Sequence, residues 1–163
     1  MRVTYILIFL FMHNNILSLE LACKFEEVYQ TGEIQQGLFL VKGEKFRYQY
    51  SSKNLYSIIH NQNKFFLIEN RDTSVYFVID KNTDILEIIL EIIHDYPNFK
   101  STYFFEDVIV KIELSNNENM IKRLAILSDD INLSVYVNDC STEPLSNRYF
   151  FYSPFFDYNY QND

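Results

Sequence analysis

Glycine and proline number only three each in this chain, and tryptophan is absent. With Gly32, Gly37 and Gly43 as the sole glycines, no glycine-rich phosphate loop can be built. Turns must draw on Asn, Asp and Ser instead, and Asn is plentiful. Histidine is scarce too: His13, His60 and His94 lie far apart. They and two cysteines show no spacing that would supply the four ligands of a zinc site. No serine sits in a Gly-x-Ser-x-Gly elbow. Asp129 and Asp130 read as a solvated turn rather than a catalytic pair. The chain is therefore expected not to be an enzyme and to need no cofactor. Positive charge is outnumbered, with 14 Lys and Arg against 22 Asp and Glu, a net charge of −8. That excludes nucleic acid and anionic membrane surfaces as primary partners.

What is present is greasy. Hydrophobic residues make up 48% and aromatic residues 17% of 163 positions, enough for one domain with a real core. At the amino terminus Arg2 precedes an apolar run through Met12, which His13, Asn14 and Asn15 interrupt. The run is too short to span a bilayer and reads as a secretory leader. Residues 1–22 are assigned to that leader and residues 23–163 to a single exported domain, with cleavage after Ser18 as the other choice. Export would place Cys23 and Cys140 in an oxidising compartment. Three readings stand: a Cys23–Cys140 disulfide, a lipidated Cys23, or two free buried thiols.

The rest reads as strand after strand. Candidates are residues 25–31, 38–42, 45–50, 55–60, 64–69, 75–80, 108–114, 122–128 and 131–138. Within residues 45–50, Phe46, Tyr48 and Tyr50 share one face while Lys45, Arg47 and Gln49 take the other. Asn61-Gln62-Asn63, the cluster at 116–119 and Asp129-Asp130 mark turns. Short strands in unbroken succession predict an antiparallel meander. One segment differs. From Asp84 to His94, Ile85, Ile88, Ile89 and Ile92 recur at helical spacing, Asp84 and Glu87 form a capping-box-like start, and Pro97 lies beyond the end. Such a helix either fills the open side of a sheet or acts as a lid over a ligand cavity.

Several of these pieces resemble the periplasmic outer-membrane lipoprotein carrier family, the LolA family. Gly37-x-Phe39-x-Val41-Lys42 followed by Lys45-Phe46-Arg47-Tyr48-x-Tyr50 is similar to that family's second and third strands. Residues 25–30, residues 54–63, the segment from Thr83 to Leu90 and Phe150 to Pro154 are similar to its first strand, next strand and turn, lid helix and carboxyl-terminal motif. Tyr48 stands where the family has tryptophan, Asp84 where it has the lid proline, and its Arg-Pro before the third strand is not intact.

The resemblance implies a mainly β (α+β) fold: a curved antiparallel sheet, an incompletely closed half-barrel with a covering helix. It implies a monomeric periplasmic carrier, with acylated lipoproteins as cargo. An inner-membrane release complex and an outer-membrane acceptor would be its partners. It places the acyl cavity among Phe39, Phe46, Tyr48, Tyr50, Phe65, Leu67, Tyr76 and Val78, roofed by Ile85, Ile88, Ile89 and Ile92. Lys42 and Arg47 become the candidates for a lid latch. Strand register is open, so either face is eligible to be the inner one. A membrane-anchored acceptor of the same fold, which needs lipid on Cys23, and an interaction module without lipid are the alternatives.

Overall fold

The computed structural model describes residues 19–72, 74–79, 84–116 and 120–151. Residues 1–18 of the expected leader lie outside the described residues. So do residues 117–119 of the expected turn, Asp80, Thr83, the Asp84 side chain of the expected capping box, and residues 152–154 of the carboxyl-terminal motif.

Among the described residues, ten strands form one antiparallel sheet. They are β1 (Glu20–Tyr29), β2 (Ile34–Lys42), β3 (Lys45–Tyr50), β4 (Tyr56–Asn61), β5 (Lys64–Glu69), β6 (Tyr76–Ile79), β7 (Thr102–Phe105), β8 (Val108–Leu114), β9 (Ile121–Leu127) and β10 (Asn132–Ser141). The order across the sheet is β6-β5-β4-β3-β2-β1-β10-β9-β8-β7, so β1 and β10 meet in the middle and the sheet stays open between β6 and β7. Each arm is a meander, as the succession of short strands predicts. The chain leaves the first arm at one edge and must re-enter at the opposite edge. The helix α1 (Asp84–His94) makes that crossing and covers the open side. This is the curved half-barrel with a covering helix.

Local chemistry explains the parts. Gln62 and Asn63 both adopt positive φ, 52° and 59°, the conformation that joins β4 to β5 in a two-residue hairpin. Gly43, at φ 58°, serves the β2–β3 turn. On α1 the apolar stripe is wider than the four isoleucines. Ile88 and Ile92 pack with Phe25, Tyr103, Val110 and Ile126, toward β7–β10. Leu86 packs with Val41, Phe46 and Phe65 on the other arm, joined by Ile89, Leu90 and Ile93. The helix therefore wedges between the two arms. Its carboxyl end is braced to β7: the Tyr103 hydroxyl donates to Asp95 at 3.0 Å, and Lys100 pairs with Asp95 at 3.3 Å and Glu91 at 2.6 Å. Strand β7 itself was not expected from the sequence.

The outer face of the first arm is covered by residues 145–150, which end in a 3-10 helix, Asn147–Phe150. Leu145 and Phe150 form a buried cluster with Ala22 and Leu40. Polar bonds pin this strap: Lys42 donates to the Leu145 carbonyl at 2.6 Å and Glu20 accepts from the Leu145 amide at 2.6 Å. Asn61 donates to the Phe150 carbonyl at 3.1 Å. Strand β1 thus starts inside the segment assigned to the leader. Glu20, Leu21 and Ala22 belong to the sheet.

Candidate functional site

A cavity of about 270 Å³ lies between the inner face of the sheet and α1. Alternation along each strand selects its walls. From β1 come Leu21, Cys23, Phe25, Glu27 and Tyr29, from β2 Phe39 and Val41, and from β3 Phe46, Tyr48 and Tyr50. Strands β9 and β10 add Leu124, Ile126, Leu133 and Val135, and α1 adds Ile85, Leu86, Ile89, Ile92 and Ile93. The walls are almost wholly hydrocarbon and aromatic ring.

Of the residues named from sequence, Phe39, Phe46, Tyr48, Tyr50, Ile85, Ile89 and Ile92 line this space. Phe65 and Ile88 stand behind the lining, fully buried in the packed clusters to either side. Leu67 pairs with Ile58 and lies on the inner face, away from the lining. Tyr76 and Val78 are corrected. They pair with Ile68 and Phe66, which puts them on the face opposite Phe65, and they are 43% and 54% exposed. A one-residue difference in register moves a side chain to the other face.

The latch assignment is corrected as well. Lys42 pairs with Glu20 at 3.0 Å and reaches the strap. Arg47, 1% exposed, donates from Nε to Gln49 at 2.7 Å and from Nη1 to the Tyr149 carbonyl at 3.1 Å. Burial lowers its guanidinium to about 10. Both cations sit on the face away from α1: the odd positions of β3, Arg47 among them, point outward, and Lys42 on β2 pairs with Lys45 of that set. They hold the carboxyl-terminal strap, not the helix.

The cysteines are bonded. Cys23 and Cys140 form a disulfide with Cα atoms 4.1 Å apart, at the irregularity in the β1–β10 register. It ties the two arms together where they meet. A thioether-linked lipid would need the same Cys23 sulfur.

Sequence reasoning missed Glu27. Its side chain is buried in the apolar wall, and its oxygens accept hydroxyls from Tyr48 at 2.6 Å, Tyr29 at 2.7 Å and Tyr50 at 3.0 and 3.1 Å. Burial, then the hydrogen bond to Glu27, raises Tyr29 to about 12. Burial, then the Glu27 charge, raises Tyr48 and Tyr50 well above the ordinary tyrosine range. All three hydroxyls stay neutral donors at pH 7. The signal was present in the sequence: Phe25-x-Glu27-x-Tyr29 puts one acid on an otherwise apolar alternation. The second arm's contribution from β9 and β10 was also unanticipated. Among the described residues no group of His, Cys, Asp and Glu is placed to hold a metal ion. No family model and no curated protein matches this chain.

Proposed function

We propose that the protein is an exported carrier that shields acyl chains in the cavity beneath α1, in the manner of the lipoprotein carrier family that its sequence resembles. The observation that carries this reading is the apolar cavity itself, roofed by a crossover helix in a sheet that does not close. Each methylene kept from water is worth about 0.8 kcal/mol. An acyl chain gains that along such walls without directional bonds, so it can also be handed on. The volume of about 270 Å³ falls just below the ~300–1,000 Å³ typical of ligand pockets. Loading more than part of one chain therefore requires α1 to move outward from the first arm, where Ile85 and Ile89 are half-buried. Its carboxyl end, braced by Asp95, Tyr103 and Lys100, is the hinge side of that motion.

The disulfide supports work in an oxidising compartment such as the periplasm. Acylated lipoproteins are the proposed cargo. A donor at the inner membrane and an acceptor at the outer membrane are the proposed partners. The bonded Cys23 argues against the membrane-anchored acceptor reading. Solvent extraction and mass spectrometry of protein recovered from a bacterial periplasm test the proposal. Acyl-bearing lipid or lipopeptide is expected with it; protein recovered free of any acyl lipid contradicts it. Sequencing of the same material is expected to begin at Leu19, which keeps β1 whole; a start at Cys23 contradicts that boundary, and an intact Met1 contradicts the leader.

A further inference from the structure

The cavity is not uniformly apolar: one end holds a carboxylate. Glu27 is 5% exposed, and three tyrosine hydroxyls donate to it. Among the described residues, none of the ion pairs includes Glu27. Hydroxyl dipoles solvate the charge without cancelling it. A charge held in low dielectric attracts an opposite charge far more strongly than one in water. The surroundings suit a cation in a second way. Phe25 stacks on Tyr48 with centroids 4.0 Å apart, and Tyr50 stands edge-on to both at 5.6 Å. Aromatic faces bind ammonium groups, quaternary ones included.

Length fits the same picture. The inner-facing residues of β1 run from Leu21 to Tyr29, about 26 Å at ~3.3 Å per residue. One acyl chain spans half of a bilayer core, about 15 Å. A tail can lie along β1 while a head group reaches Glu27. We propose that Glu27, Tyr29, Tyr48 and Tyr50 form a head-group subsite for an amphiphile bearing an ammonium group, its hydrocarbon tail directed along β1 toward Leu21. This rests on the acyl-carrier reading of the same cavity and adds a polarity to it: the ligand enters with one orientation, and anionic amphiphiles are refused.

Calorimetric titration of the full chain, below micellar concentrations, with dodecyltrimethylammonium, dodecyl sulfate and 1-dodecanol tests it. The wild type should bind the ammonium at least tenfold more tightly than the other two. Glu27→Gln should keep dodecanol binding and lose the preference. Attraction to the net charge of −8 would survive that substitution, so the variant separates subsite from surface. The wild-type preference should also persist at ~1 M salt, where the Debye length is about 3 Å and surface charge is screened. That measurement decides even if Glu27→Gln fails to fold. Equal affinities, a preference that Glu27→Gln retains, or one that salt abolishes overturns the subsite and leaves the carrier standing. Binding of none of the three overturns both.

Discussion

The Phe25 ring lies across Gly37, its antiparallel partner on β2, so closely that a methyl group on Gly37 would meet the ring's Cζ at 2.5 Å. The same methyl would run into the Gln49 carbonyl oxygen on β3, which is backbone and has no room to turn away. Glycine here lets a wall ring of the cavity lie flat over the sheet and stack on Tyr48. Gly37→Ala is therefore expected to cost about 1–3 kcal/mol, as overpacking does. A urea midpoint that does not move contradicts this contact.

The disulfide joins residues 117 apart in sequence and ties the two arms at their seam. Reduction is expected to lower stability by about 2–4 kcal/mol. Denaturant midpoints with and without reductant check it. Full alkylation of both thiols in unreduced protein contradicts the bond.

Glu20 and Arg47 hold the carboxyl-terminal strap, and each gives a separable test. The Leu145 amide first, and Lys42 next, hold the Glu20 carboxyl below its ordinary 4.5. The folded value is the lower one. The stabilisation is therefore present above pH 4.5 and lost as pH falls through the folded value. Glu20→Gln should be less stable than wild type at pH 7, with the gap closing below about pH 4.5. A gap that stays constant down to about pH 3 contradicts the assignment. Arg47→Ala leaves buried acceptors without their donor and should cost about 1–3 kcal/mol. Amphiphile binding should be unchanged, because Arg47 lies on the other face of the sheet. Weakened binding at full stability would restore the latch.

How much of this was legible depends on what each element rests on locally. Lys45 to Tyr50 alternates cleanly, so its faces and its bounds were readable. The helix was readable because Ile85, Ile88, Ile89 and Ile92 keep one spacing. Tyr76 to Ile79 is apolar on both parities, so alternation offered no choice of face, and its pairing with β5 decided it. Strand β7 is four residues long, too short for a period to declare itself. The start of β1 lies within the segment expected to be a leader, so Leu19 and Leu21 carried no boundary signal. Arg47 is buried by a strap about a hundred residues further on, a relationship with no local trace. The Cys23–Cys140 bond was one of three readings, and the β1–β10 register is what brings the pair together.

Neighbouring positions on α1 should respond differently. Ile88 is 1% exposed in a packed cluster, so Ile88→Ala should cost about 2–5 kcal/mol. Ile89 is half-buried at the cavity wall, where no packed neighbour is lost on that side, so Ile89→Ala should cost less. Equal losses measured by urea unfolding contradict the placement of the cavity.

The central claim is that acyl chains lie against Ile89. The most direct measurement is native mass spectrometry of the chain and of Ile89→Glu, each incubated with a synthetic diacylated lipopeptide. A carboxylate at this wall meets the chains and is strongly unfavourable when buried unpaired. The account predicts a one-to-one complex for the wild type and at least tenfold less for Ile89→Glu, with unchanged far-ultraviolet circular dichroism. No complex with the wild type, or equal complex with both, contradicts it.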